Sequence, residues 1–381
     1  MFHTIHTSTK EVTVRYPFLR TLTAVATVLL LAPVAALAGQ AGEERAGLPI
    51  PFLPNPVVTA STVPANGDQN PYGVAFVPRG LPAGGSLAAG DVLVSNFNNS
   101  QNQQGTGTTI VDVPASGGAP TVFFQGQAGL GLTTALEVLQ EGLVIVGNMP
   151  TSDGTCATAQ AGSLLVLDTK GNLVATLTDP SIDGPWDMTV LERGRGTVAA
   201  FVSNALSGNV VRLDLKVSGG TASITKSTQV ASGYMHRCDP AALVVAPTGL
   251  VYDPSDDLLY VASTEDNKVY AVAHAISTAG DAGTGHVIYQ DNAHLHGPLA
   301  LVEAPNGDLL VSNSDVINVD PKQPSEIVEF TKGGRFVKQL SVDPMEGGSF
   351  GIGVQVVNQT ARFAAVDDVT GTVTIWSLPP F

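Results

Sequence analysis

The chain has 381 residues, a formal net charge of −15, only 13% charged residues and 41 glycines. So acidic a chain repels nucleic acid and anionic membrane surfaces, and its sparse charge and abundant glycine read as many short strands joined by tight turns. Two cysteines, Cys156 and Cys238, are too few for a metal site of their own; in an exported chain they read as one disulfide.

The first segment reads as an export signal. Lys10, Arg15 and Arg20 give a positive start, 22–37 runs without a charge, and Ala36-Leu37-Ala38 is a small-x-small cleavage site. The expected organisation is a signal peptide over 1–38, a flexible leader over 39–55, and one domain over 56–381. No later run is apolar enough to span a bilayer, so no membrane span is expected after cleavage. The chain reads as secreted or periplasmic.

From Pro56 onward a unit recurs. Its second strand reads DVLVSNF (91–97), GLVIVGNM (142–149), TVAAFVSNA (197–205), DLLYVAST (257–264), DLLVSNS (308–314) and RFAAVDD (362–368). The polar residue ending each strand is Asn96, Asn148, Asn204, Thr264, Asn313 and Asp367, so the step is 49 to 60 residues. That suits a four-stranded propeller blade with loop insertions. Short apolar first strands precede these segments in register, as in YGVAFVP (72–78) and PLALVEAP (298–305). The last unit lacks one strand, which PVVTASTVP (56–64) is placed to supply. The predicted fold is therefore all-β: a six-bladed β-propeller closed by an N-terminal strand completing the last blade.

The segments DLLYVASTEDNKVYAV (257–272), DLLVSNS (308–314) and SEIVEFTKGGRFVKQL (325–340) resemble NHL-type repeats of six-bladed, TolB-like propellers. The resemblance spans nearly the whole exported chain as repeat pattern. It implies the fold and a ligand site at the central mouth, while such propellers serve as lactonases, lyases and binding scaffolds. Gluconolactonase-type propellers use a Glu, Asn, Asn, Asp set around the channel; this chain has asparagines at similar strand ends and no entering glutamate in register. In the peptidylglycine amidating lyase, three histidines from separate blades hold zinc.

Three groups of residues are candidates at the mouth. The first is the strand-end set Asn96, Asn148, Asn204, Asn313 and Asp367, read either as an oxygen ring for calcium or as local caps on the backbone. The second is His236, His294 and His296 with Asp239. In an extended segment a His-x-His pair points both rings one way, so these would hold zinc with an open position; otherwise they are ordinary loop histidines. The third is Trp186 and Asp187, which open the third blade and would either wall a pocket or pack between blades. Cys156 and Cys238 both lie in loops of the mouth face, where a bridge would pin them.

No nucleophile elbow, phosphate loop or dinucleotide fingerprint is present, and no catalytic residue is assigned. One functional reading is an exported scaffold binding a small molecule, glycan or protein on its loop face. The other is a metal-dependent hydrolase (lactonase- or esterase-like) or lyase acting at the channel mouth, with zinc or calcium as the metal.

Overall fold

The computed structural model describes residues 56–378. The signal segment and leader read from the sequence, 1–38 and 39–55, lie outside the described residues. Among the described residues, six four-stranded antiparallel sheets form, plus one two-stranded hairpin. No helix among them is long and apolar enough to cross a membrane.

Blade 1 comprises Gln69–Phe76, Val92–Asn98, Thr109–Val113 and Thr121–Gln125. Blade 2 comprises Leu132–Val138, Leu143–Asn148, Ser163–Asp168 and Leu173–Leu177. Blade 3 comprises Pro185–Glu192, Thr197–Asn204, Asn209–Ser218 and Thr221–Ser232. Blade 4 comprises Pro247–Asp253, Leu258–Ser263, Lys268–Ala273 and His286–Tyr289. Blade 5 comprises Pro298–Glu303, Leu309–Asn313, Glu326–Phe330 and Phe336–Ser341. Blade 6 comprises Ser349–Val357, Thr360–Asp367 and Thr372–Leu378, and Val58–Ser61 completes it. That closing strand pairs Val58 with Ile375 through Ser61 with Thr372, so neither end of the ring leaves an open sheet edge.

Alternation explains why the second strands are continuous apolar runs. Leu143 and Ile145 enter the layer between blades 2 and 3, while Val144 and Val146 enter the layer between blades 1 and 2. A strand buried on both faces has no polar side to show. The outer strands lose this constraint: in Leu173–Leu177 only Leu177 is buried.

The six first strands line the axis, each touching the first strands of both neighbouring blades. Each carries a register shift near its start, between Pro71 and Val74, Leu132 and Leu136, Pro185 and Met188, Pro247 and Leu250, Pro298 and Leu301, and Ser349 and Ile352. Four of the six begin this stretch with proline, which needs no ladder partner for a missing N–H. The bulges bring backbones together. A Cβ on Gly351 would sit 1.9 Å from the Tyr72 carbonyl oxygen, and one on Gly249 2.2 Å from that of Leu299. Hydroxyls stitch neighbouring blades at this level: Ser95 donates to the Thr133 carbonyl (2.8 Å), Thr133 to that of Pro185 (2.8 Å), Ser203 to that of Thr248 (2.8 Å) and Ser312 to that of Phe350 (2.6 Å).

Candidate functional site at the channel mouth

The bulged residues reach the axis and plug it. Tyr72 stacks on Phe97 with ring centroids 4.9 Å apart and meets Phe350 at 4.9 Å; Trp186 meets Phe97 edge-on at 5.3 Å. Met149 and Leu299 complete this cluster from below the loops. Above it lies the extra hairpin Arg237–Asp239 and Leu243–Val245, whose Leu243 and Val244 are buried in the same cluster. The hairpin is tied down by the Cys156–Cys238 disulfide, with Cα atoms 5.5 Å apart. Arg237 adds ion pairs to Asp239 (2.6 Å) and Glu265 (2.9 Å), and Gln104 donates to the Ala241 carbonyl. The hairpin is no part of the repeat, so the repeat pattern did not announce it.

Beside the hairpin is a mouth pocket of about 300 Å³, lined by Asn70, Asn98, Asp315, Glu346, Asp368 and the plug residues Tyr72 and Phe350, among others. Three of these residues carry an oxygen that is buried without a hydrogen-bond partner: Oδ1 of Asn70, of Asn98 and of Asp315. The rest of each group is held. Asp315 Oδ2 accepts from the N–H groups of Ser325 (2.8 Å) and Gly347 (2.9 Å), and Asn98 Nδ2 donates to Asn102 (2.7 Å). Asn70 sits at φ 61°, a left-handed conformation that asparagine tolerates. Burial pushes the Asp315 carboxyl up against its backbone donors. Burial and the neighbouring Asp367 charge push Asp368 up to about 7. Burial and Asp368 likewise raise the Tyr72 hydroxyl, which stays protonated.

The strand-end asparagines do not ring this pocket. Asn148, Asn204 and Asn313 accept through Oδ1 from the N–H groups of Gly131 (2.8 Å), Asp183 (2.9 Å) and His296 (3.0 Å). Each latches its strand end to the loop entering its own blade. Asn96 donates to the Thr62 carbonyl (2.9 Å) and Asp367 caps the turn at Val369 and Thr370. Residues one or two positions beyond these markers face the mouth instead: Asn98 after Asn96, Asp315 after Asn313, Asp368 after Asp367. That offset is a signal the sequence carried.

The histidines are not brought together as a ligand set. Residues 291–295 form a turn, with Leu295 N–H donating to the Asp291 carbonyl, so the two rings of the His-x-His pair diverge. His294 pairs with Asp291 (2.5 Å) and stacks on Phe336. His296 is 1% exposed and its Nδ1 meets the Asn318 carbonyl (2.5 Å). His236 is exposed beside the Tyr234 carbonyl, and Asp239 accepts from Ala241 and Ala242 in its hairpin turn. Among the described residues no three His, Cys, Asp or Glu side chains converge to hold a metal ion. Trp186 is 1% exposed inside the plug and so walls no pocket.

Beneath the plug the channel opens again. A cavity of about 510 Å³ runs toward the opposite face, lined by all six first strands, and Asp187 lies in it with Glu137. Asp187 accepts from the N–H groups of Met188 (2.8 Å) and Leu250 (3.0 Å), and burial pushes it up to about 7. Burial, with Asp187 and Glu192 nearby, pushes Glu137 up to about 8.

No family model matches the chain, and no curated protein matches it. Solved structures do. An α-L-arabinofuranosidase from Fusarium graminearum, in complex with an iminosugar inhibitor, is 14% identical with a TM-score of 0.51, over 84% of this chain and 98% of that one. Regucalcin, a calcium-binding protein from Agrobacterium tumefaciens, is 13% identical with a TM-score of 0.50, over 85% and 96%. A proposed oxidoreductase (glucose dehydrogenase) from Thermus thermophilus is 13% identical with a TM-score of 0.50, over 84% and 99%. At such identities the likeness is one of fold, and with the six closed blades it makes the chain a six-bladed β-propeller.

Proposed function

We propose that the chain is an exported hydrolase of the lactonase or esterase type, acting at the channel mouth with a hard divalent cation such as calcium. The observation that carries this reading is the trio of buried, unpartnered oxygens on Asn70, Asn98 and Asp315 lining one pocket. Oxygen donors from carboxamides and a carboxylate fit calcium better than zinc. Buried polar atoms without partners are otherwise costly, so three around one pocket favour a bound group. The calcium binding named for the regucalcin propeller points the same way. When bound, the cation would supply Lewis-acid polarisation of a carbonyl oxygen.

The chain's own residues do the rest. Tyr72 and Phe350 close the pocket floor and exclude water from the channel side. The Asp368 carboxyl holds a proton near neutrality, as a group that gives or takes one must. The hairpin under the Cys156–Cys238 bridge walls one side, and that bridge suits the oxidising compartment an export signal implies. The zinc reading of His236, His294 and His296 has no assembled ligand set to support it.

The test is calcium titration of the exported chain by calorimetry, followed by turnover on a panel of lactones and esters with and without calcium. Stoichiometric calcium that is lost in Asp315→Ala, with calcium-dependent turnover, is the expected result. Calcium binding without turnover would leave a binding scaffold and overturn the hydrolase reading.

A further inference from the structure

The cavity beneath the plug is a separate space from the mouth. Tyr72, Phe97, Trp186 and Phe350 stand between the two, and the cavity walls come from strands rather than loops. Its volume is that of a small-molecule site. Most of the residues along it are apolar in type, although backbone and polar side chains make up about half of the exposed wall, and three aromatic side chains, Tyr72, Phe76 and Tyr252, stand on it. Three carboxylates break that surface, and they are not equivalent: Glu303 pairs with Lys332. Asp187 is held by two backbone N–H groups. Glu137 has neither a hydrogen bond nor an ion pair among the described residues.

Two cations near the cavity are already engaged. Lys332 holds Glu303 (2.9 Å) and Asp253 (2.6 Å), and Arg362 donates to the Gly90 carbonyl and lies over Phe76. An unpaired carboxylate deep in a fold is costly unless it is protonated or meets a positive charge. A divalent metal, which wants six or more oxygens, does not fit, because among the described residues no three carboxylates or imidazoles converge here. Aromatic faces with a nearby carboxylate suit an organic ammonium, which gains from both.

We infer that the lower channel is a second ligand site, which takes a small organic ammonium with its charge against Glu137 and its apolar body against Phe76 and Tyr252. The site is independent of the mouth and of any activity there. Its occupancy depends on pH because Glu137 must be ionised to receive the cation. The groups facing Glu137 are Asp187 and Glu192 on the neighbouring first strand, Glu141 beside Glu192, and across the channel Tyr252 and the Glu303–Lys332 pair. The acids all favour the protonated form of Glu137 and the lysine opposes them weakly.

The experiment is calorimetric titration of the exported chain with benzyltrimethylammonium, whose charge does not titrate, at about pH 6 and about pH 9. Benzyl alcohol serves as the neutral control. Binding should be saturable and about tenfold or more tighter at the higher pH. Glu137→Gln, close to isosteric, should lose most of that gain, keeping only the smaller part that ionisation of Asp187 supplies, while Asp315→Ala at the mouth should bind as the parent does. Absence of saturable binding at the higher pH, or a Glu137→Gln variant that binds as the parent does, would overturn the inference.

Discussion

The two ends of the central channel are built by different rules. The lower cavity is made by repetition: all six first strands contribute equivalent positions, and its shape follows from closing the ring. The mouth is made by departures from repetition. A hairpin found in one blade only, a disulfide across two long loops, and polar residues just past three strand ends give it its chemistry. The aromatic plug is the boundary, and it comes in part from the repeat, because the bulges of blades 1, 3, 5 and 6 deliver Tyr72, Trp186, Leu299 and Phe350 to it. Repetition thus supplies a rigid frame, and singular features supply the asymmetry of the mouth.

The boundary itself is the most severe place to test this division. Trp186→Ala leaves a large void in the plug and should cost about 3–5 kcal/mol in denaturant unfolding. It should also let the two ends communicate, so that a mouth ligand changes the affinity of the lower site.

A smaller and more local loss is expected from the double variant Cys156→Ala/Cys238→Ala. It should cost about 2–4 kcal/mol. Amide exchange should quicken in 237–245 while the first strands stay protected, and calcium affinity at the mouth should fall with benzyltrimethylammonium affinity unchanged. Loss of protection throughout the ring would contradict the division between frame and mouth.

The smallest effect concerns the lower cavity alone. Glu137 is raised in the folded chain, to about 8 from an ordinary value of 4.5, so the folded state keeps its proton where the unfolded chain has lost it. Stability from this group is complete below the unfolded value and drains away as pH rises through about 8. Glu137→Gln should reduce that slope, to which Asp187 and Asp368 also contribute, and should stabilise the protein near pH 8, read as a flatter profile of Tm against pH. A parent profile that rises over this range would contradict the assignment.

The blades were legible because a buried second strand must be apolar on both faces and must end in a residue that turns the chain. Asn148, Asn204 and Asn313 marked those ends correctly, but for a local reason: their carboxamides hold entering loops and do not face a ligand. The His-x-His reading assumed extended backbone, whereas residues 291–295 turn. Spacing alone carries no information on that point, since the same residues point together or apart according to two or three dihedral angles.

By itself the sequence determined the blade count, the closure by residues 56–64 and the face on which the loops gather. These follow from strand periodicity and a repeat step, which are properties of the chain in one dimension. Only the tertiary structure decided that the axis is plugged, that Asn70, Asn98 and Asp315, each with a buried unpartnered oxygen, line one pocket, and that Glu137 stands unpaired among the described residues beneath it. Those residues lie up to hundreds of positions apart, and what each does depends on neighbours that the ring assembles from different blades.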